Sequence, residues 1–279
     1  MRQARLLLGA GEGDAYYHCM SRAVDRRFIF GDEEKTYFYE WMRRLERFSS
    51  VEVVTWCLMS NHFHLLLRVP DKERLGRLSL EELKEELRRL YGKEGAGDVL
   101  QELERAEAAG DVRWVEEIRE RYEVRRGDLS KFMKELKQRF TMWYNRREGR
   151  RGTLWEDRFK SVLVEGSDKA LMTMAAYIEL NPVRAGLVED PKDYRWCGYA
   201  EAVAGGALAR KGLCRLLDQT SYGTNRMVNW KGVSRRYRRL LFEHGEERSY
   251  DEGDVREKRH GIIAEKVDEV IASGVWRRF

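Results

Sequence analysis

The chain has 279 residues, room for one large domain or two small ones at roughly 150 residues each, and its 42% hydrophobic and 11% aromatic content argues against disorder for most of the length. No apolar run approaches the roughly 20 residues that span a bilayer, Leu6-Leu7-Leu8 is too short for a signal peptide, and Cys19, Cys57, Cys197 and Cys214 form no CxxC pair. Zinc ribbons, disulfide frameworks and membrane proteins are excluded, and reduced thiols in a cytoplasmic protein are expected. The net charge of +5 divides unevenly: residues 71–128 hold 13 basic and 17 acidic residues, whereas 131–160 hold ten basic and four acidic. A basic stretch of that kind suits a polyanionic partner, and it equally suits a solvated helix face.

Ala15-Tyr16-Tyr17-His18-Cys19-Met20-Ser21 reads as a strand. Asp32-Glu33-Glu34 opens a helix to about Phe48, with its carboxylates where the helix dipole favours them. Two β-branched or apolar runs, 51–59 and 62–69, flank the turn pair Ser60-Asn61 and predict a hairpin. From 71 to 128 the character changes. Leu75, Leu78, Leu80, Leu83, Leu87 and Leu90 fall near helical spacing among charges, so two or three amphipathic helices are inserted between core elements. Ser130 is expected to cap the next helix, which runs to about Arg147 with Phe132, Leu136, Phe140 and Trp143 on one face. Gly149 to Gly152 break it, a strand follows over 159–164, and Asp168 begins a helix that Pro182 should end. Strand, helix, two strands, insertion, helix, strand, helix is an α+β order, which an antiparallel sheet with helices on one face satisfies using short connections. Beyond about 205 the pattern is helical and charged, with glycine-rich breaks at 205–206 and 245–253. There is no internal repeat.

Two small constellations carry chemistry. In His62-Phe63-His64 the imidazoles sit two apart on a strand and share one face, as a pair of neutral metal ligands would. Alone, such a pair also suits hydrogen-bonded strand histidines. His18, on the first strand, fits a core or supporting role, and His244 and His260 read as surface residues. In Tyr177-Ile178-Glu179-Leu180-Asn181-Pro182, Tyr177 and Asn181 lie one helical turn apart. A phenol can act as a covalent nucleophile and an amide oxygen can ligate a hard cation. Alone, Tyr177 also suits a core aromatic and Asn181 a helix end before proline.

Taken in order, several motifs resemble the single-tyrosine HUH transposases, closest to the REP-associated tyrosine transposases. They are Tyr17-His18-Cys19-Met20-Ser21-Arg22, Met59-Ser60-Asn61-His62-Phe63-His64-Leu65, Gly152-Thr153-Leu154-Trp155-Glu156-Asp157-Arg158-Phe159-Lys160, Tyr177 with Asn181-Pro182-Val183-Arg184-Ala185-Gly186, and Trp196-Cys197-Gly198-Tyr199. The resemblance spans about 13–202. It implies a ferredoxin- or RRM-like sheet (the HUH endonuclease fold) over residues 1–205, with the acidic helical insertion inside it and a charged helical extension over 206–279. It implies that His62 and His64, helped by Asn181 where many relatives carry Gln, hold Mg²⁺ or Mn²⁺. It implies that Tyr177 attacks a phosphate of single-stranded DNA to give a 5′-phosphotyrosine, at hairpin or palindromic repeats.

Lys134, Lys137, Arg139, Arg146, Arg147, Arg150 and Arg151 are candidate phosphate contacts. Trp155 and Arg158 are the better candidates near the site, Trp155 for stacking on unpaired bases. Tyr144 is the rival nucleophile, without a metal-ligand partner at helical spacing. Two other readings stay open: an RRM-like protein that binds structured nucleic acid without cutting it, and an HUH nickase of replication initiation. Monomer and homodimer are both compatible with the sequence.

Overall fold

The structure, a computed structural model, describes residues 8, 11–216, 230–246, 248–252, 255–263 and 266–268. Leu6 and Leu7 of the N-terminal patch, and much of the 206–279 extension, lie outside those residues. The chain divides into two compact units: residues 1–15, 32–52 and 68–154 in one, and 16–31, 53–67 and 155–279 in the other.

The first unit is helical. Helix α1 (Asp32–Ser49) starts with three carboxylates in its first turn and buries Phe38, Met42, Leu45 and Phe48 at three- and four-residue spacing. It packs on α5 (Leu129–Arg147), where Phe38 meets Phe140 edge-on at 5.6 Å. The cap of α5 is Asp128, whose carboxylate accepts from the Lys131 amide at 3.0 Å, and not Ser130. Both residue types cap well, and the chain turns into the helix two residues earlier than expected. Between them the insertion forms three helices, α2 (Leu80–Gly95), α3 (Gly97–Ala108) and α4 (Val112–Glu123). Ser79 and Glu82 close a capping box at the start of α2. Of the six leucines in the predicted stripe, Leu83, Leu87 and Leu90 are buried on α2, while Leu75, Leu78 and Leu80 are half-buried ahead of or at its start.

The second unit is built on a four-stranded antiparallel sheet in the order β2-β3-β1-β4. Its strands are β1 (Ala15–Arg22), β2 (Glu52–Leu58), β3 (His62–Val69) and β4 (Lys160–Val164). The β2–β3 hairpin turns at Ser60-Asn61 as expected, closed by the Met59 amide donating to the His62 carbonyl at 2.8 Å. Strand β1 alternates cleanly: Tyr17, Cys19 and Ser21 are buried, and His18, Met20 and Arg22 are half-open on the other face. Strand β4 lies at the edge, with His18 opposite Val162.

Helix α6 (Asp168–Glu179) is capped by Ser167 and buries Leu171, Met172, Ala175, Ala176, Ile178 and Glu179. Pro182 does not end it. The helix stops at Leu180, and Pro182 opens a separate turn, α7 (Asn181–Arg184), where a missing amide donor costs nothing. Helices α8 (Gly198–Val203), α9 (Ala207–Arg215) and α10 (Trp230–Gly245) complete the unit, with Gly205 at φ +109° between α8 and α9. Gly212 of α9 lies so close to β2 that a Cβ would stand 2.3 Å from the Val54 carbonyl oxygen. Among the described residues beyond 205, α9 therefore packs against this sheet. The glycine-rich break expected at 245–253 and the charged residues after it form an antiparallel hairpin, β5 (Arg248–Glu252) with β6 (Val255–Arg259). The segments RSYDE and VREKR show no apolar alternation, so no period-2 signal marks them in the sequence.

Candidate active site

The alternation of β1 and β3 brings three histidines to one face of the sheet. His18 Nε2 lies 2.8 Å from His64 Nδ1, and the His62 and His64 rings are 5.1 Å apart, edge to face. His64 is buried at 2% exposure, while His18 and His62 are half-buried. Burial holds all three well below the ordinary imidazole value: His18 and His62 at about 4, His64 at about 3. Arg22, four residues along β1 from His18, adds its positive charge to the depression of His62 and His64. At neutral pH the three imidazoles are therefore uncharged, the form that ligates metals.

Helix α6 closes this face from above. Tyr177 is 43% exposed, and its ring stands edge-on to His64 and to His18 with both centroid separations at 5.8 Å. A cavity of about 600 Å³ opens beside it, walled by Val162 and Val164 of β4 and by Lys169, Thr173 and Met174 of α6. One turn on, the Asn181 amide nitrogen donates to the carbonyls of Tyr177 at 2.9 Å and Ile178 at 3.2 Å. That leaves its oxygen as the free end of the side chain.

Hydrogen bonds fix which nitrogens remain for a cation. Asn61 donates from Nδ2 to the Arg26 carbonyl at 3.1 Å, so its oxygen is the atom 2.6 Å from His62 Nδ1. His62 Nδ1 must then carry the proton, and Nε2 keeps its lone pair. His64 Nδ1 is likewise engaged by His18, which leaves Nε2. Among the described residues no three His, Cys, Asp or Glu side chains form a metal-holding group. The two imidazoles, each with one ring nitrogen left over, and the amide oxygen of Asn181 are nevertheless donor types suited to a divalent cation that completes its coordination with substrate oxygens. The residues fit the implied metal.

The other predicted positions separate. Trp155 is 7% exposed, edge-on to Phe63 at 5.5 Å and tilted against Phe30 at 6.1 Å. It is a core residue and not a stacking platform, a correction that follows from the bridge pairing Trp155 with Ala23. Arg158 is exposed in the same unit. The remaining basic candidates belong to the first unit. Lys134, Arg146 and Arg151 are exposed, and Lys137 and Arg150 half-buried. Arg147 is engaged by Glu33 at 3.0 Å and Glu34 at 2.6 Å. Tyr144 stacks on Phe140 at 6.0 Å, in the unit that lacks the histidine cluster. Phe140 is buried as expected, while Trp143 is half-open and stacks on Tyr37 at 4.2 Å. His244 and His260 are exposed. Arg22 and Asn61, which the sequence does not single out as site residues, both lie inside the quoted motifs.

Residues 13–96 match the family model described as "Transposase IS200 like", a segment that holds β1 and both histidines of β3 and stops short of Tyr177. The resemblance read from the motifs is borne out over that segment. None of the curated proteins matches the sequence. Among solved structures, one described as a REP associates tyrosine transposase bound to a REP hairpin is similar at 16% identity and TM-score 0.46, covering 74% of this chain and 87% of that one. No helix among the described residues is long and apolar enough to cross a membrane.

Proposed function

We propose that this protein is a metal-dependent enzyme that cleaves and rejoins single-stranded DNA, with Tyr177 as nucleophile and His62, His64 and Asn181 as the metal-holding set. The observation that carries the reading is the meeting of two motifs far apart in sequence: the Tyr177 ring stands 5.8 Å from that of His64, beside imidazoles kept neutral by burial. The IS200-like match supports a transposase-type activity on DNA.

Bound Mg²⁺ or Mn²⁺ supplies Lewis-acid polarisation of the scissile phosphate and stabilises charge on the oxygen it displaces. His62 and His64 offer their Nε2 lone pairs, and Asn181, held by its own helix, offers its oxygen. The Tyr177 oxygen bonds to phosphorus and gives up its proton, which water can take at so exposed a hydroxyl. The bond from phosphorus to the 3′ oxygen breaks. One DNA end then carries a free 3′-hydroxyl, and the other is linked through its 5′-phosphate to Tyr177. A 3′-hydroxyl can later attack that phosphotyrosine and reseal a strand without ATP, because the phosphodiester was exchanged and not hydrolysed. Base pairing would keep a scissile phosphate from reaching a tyrosine set against the sheet, so the expected substrate is a single strand beside a hairpin. The motif set lies within residues 1–205, and residues 206–279 are read as an extension of that domain.

Incubation with such an oligonucleotide and Mn²⁺ should give a protein–DNA adduct that survives denaturation. Tyr177→Phe should lose the adduct while binding DNA about as well. Preferential cutting of blunt duplex, or an undiminished adduct in that variant, overturns the reading.

A further inference from the structure

We propose that His18 is a positioning residue that sets the tautomer of His64 and so makes that ligand competent to hold metal, an inference that rests on the proposed role of His64. The two rings are inclined by only 14° with centroids 5.1 Å apart, and their facing nitrogens are 2.8 Å apart. That is as close as two imidazoles at this separation can bring a nitrogen pair. Both atoms therefore lie on the line between the rings, as an N–H···N hydrogen bond made in the ring planes requires.

One proton occupies that bond, and its owner decides what His64 can do. If His18 donates from Nε2, His64 accepts at Nδ1, carries its own proton on Nε2, and turns a donor toward the Tyr177 side. If His64 donates from Nδ1, its Nε2 holds a lone pair and can ligate. The second arrangement is the one the ligand role of His64 requires, and it gives His64 the same tautomer that the Asn61 amide, oriented by the Arg26 carbonyl, sets for His62. Each ligand thus has its Nδ1 tied to a different neighbour, one from the turn and one from β1. The ties differ in their access to water. His64 is 2% exposed, so with His18 in place no bulk water reaches the bond. His62 is half-buried and has solvent within reach. An outer partner that fixes ring orientation and tautomer is worth roughly 10–100-fold in metal affinity.

The experiment compares wild type, His18→Ala and His18→Gln, in which the glutamine oxygen can accept from His64 Nδ1 in place of the imidazole. Two readouts are taken: ¹⁵N chemical shifts of the histidine side chains without metal, and Mn²⁺ affinity by calorimetry. Wild type should show His64 as a single Nδ1–H tautomer. His18→Ala should show mixed tautomers and bind Mn²⁺ roughly 10–100-fold more weakly, and His18→Gln should recover most of both. An Nε2–H tautomer of His64 in wild type overturns the proposal, as does a tautomer unchanged in His18→Ala. Equal loss in both variants shows a packing role and also overturns it. If wild type binds no Mn²⁺ while the tautomer pattern holds, the metal reading of the site fails and the hydrogen-bond role of His18 stands.

Discussion

Tyr177 and Glu179 are two residues apart on one helix, and they face different worlds. Tyr177 looks over the histidines with nearly half its surface in solvent. Glu179 projects from the opposite flank, as residues two apart on a helix do, and is wholly buried against β2 and the start of α8. The Thr55 hydroxyl donates to its carboxyl, and the backbone of Tyr199 and the thiol of Cys197 bond to it as well. Gly198 has no room for a side chain here, since a Cβ would stand 2.3 Å from the Thr55 oxygen and 3.0 Å from Glu179. Burial drives both regions toward neutrality: the histidines fall to about 4 and below, and Glu179 rises to about 7. The consequence differs. A neutral imidazole at an open face is a ligand, whereas a carboxyl sealed in the core and protonated below about pH 7 is a hydrogen-bonding strut. Perturbed ionisation marks function only where a substrate can reach it.

The comparison breaks most sharply under substitution of the open side. His62→Ala or His64→Ala should reduce cleavage by more than the roughly 10–100-fold that the loss of an outer metal partner costs, measured as strand cleavage at fixed Mn²⁺. Stability of Tyr177→Phe should stay within about 0.5 kcal/mol of wild type in urea, since only an exposed hydroxyl is lost. The closed side should do the reverse. Glu179→Ala should cost about 3 kcal/mol, leaving a cavity and an unpaired Thr55 hydroxyl, and cleavage by the folded fraction should persist.

Acidity separates the two sides by sign. The unfolded chain binds protons on its histidines below pH 6.5 that the folded cluster refuses, so this stability is complete above 6.5 and is lost as pH falls toward 4. Glu179 contributes fully below its free value of 4.5 and loses that contribution as pH rises through about 7. Glu179→Gln should therefore gain on wild type between pH 5 and pH 8, by on the order of 3 kcal/mol, in urea titrations at both pH values. No such relative gain would mean that Glu179 is ionised in the fold.

Smaller effects follow. Asn181→Ala should slow cleavage less than either histidine variant, because water can occupy a vacated oxygen position. Neutralising Lys134, Arg146 and Arg151 should each reduce the log–log salt slope of single-strand binding by about 0.7. Arg147 should contribute less than these, since Glu33 and Glu34 already hold it.

The sequence made the open side legible because its signals are local. Period two put His62 and His64 on one strand face, and period 3.6 put Tyr177 over Asn181. The hairpin, α1, α5 and the inserted helices are likewise legible from short-range pattern. What failed depended on distant partners or on a weak pattern. Trp155 follows a glycine-rich break and reads as a stacking candidate, but Phe30 and Phe63 enclose it from far away in the chain. The hydrogen bond of His18 needs β1 and β3 to be neighbours, which no local window contains. The C-terminal hairpin is almost wholly polar in sequence, so nothing in its composition separates strand from solvated helix.

The central claim is that Tyr177 becomes covalently joined to DNA. Digestion of the trapped adduct followed by mass spectrometry locates the modified peptide directly. The account predicts a nucleotide mass on the peptide containing Tyr177, bonded through its phenol oxygen, and none on the peptide containing Tyr144. Modification of Tyr144, or of any residue other than Tyr177, would contradict it.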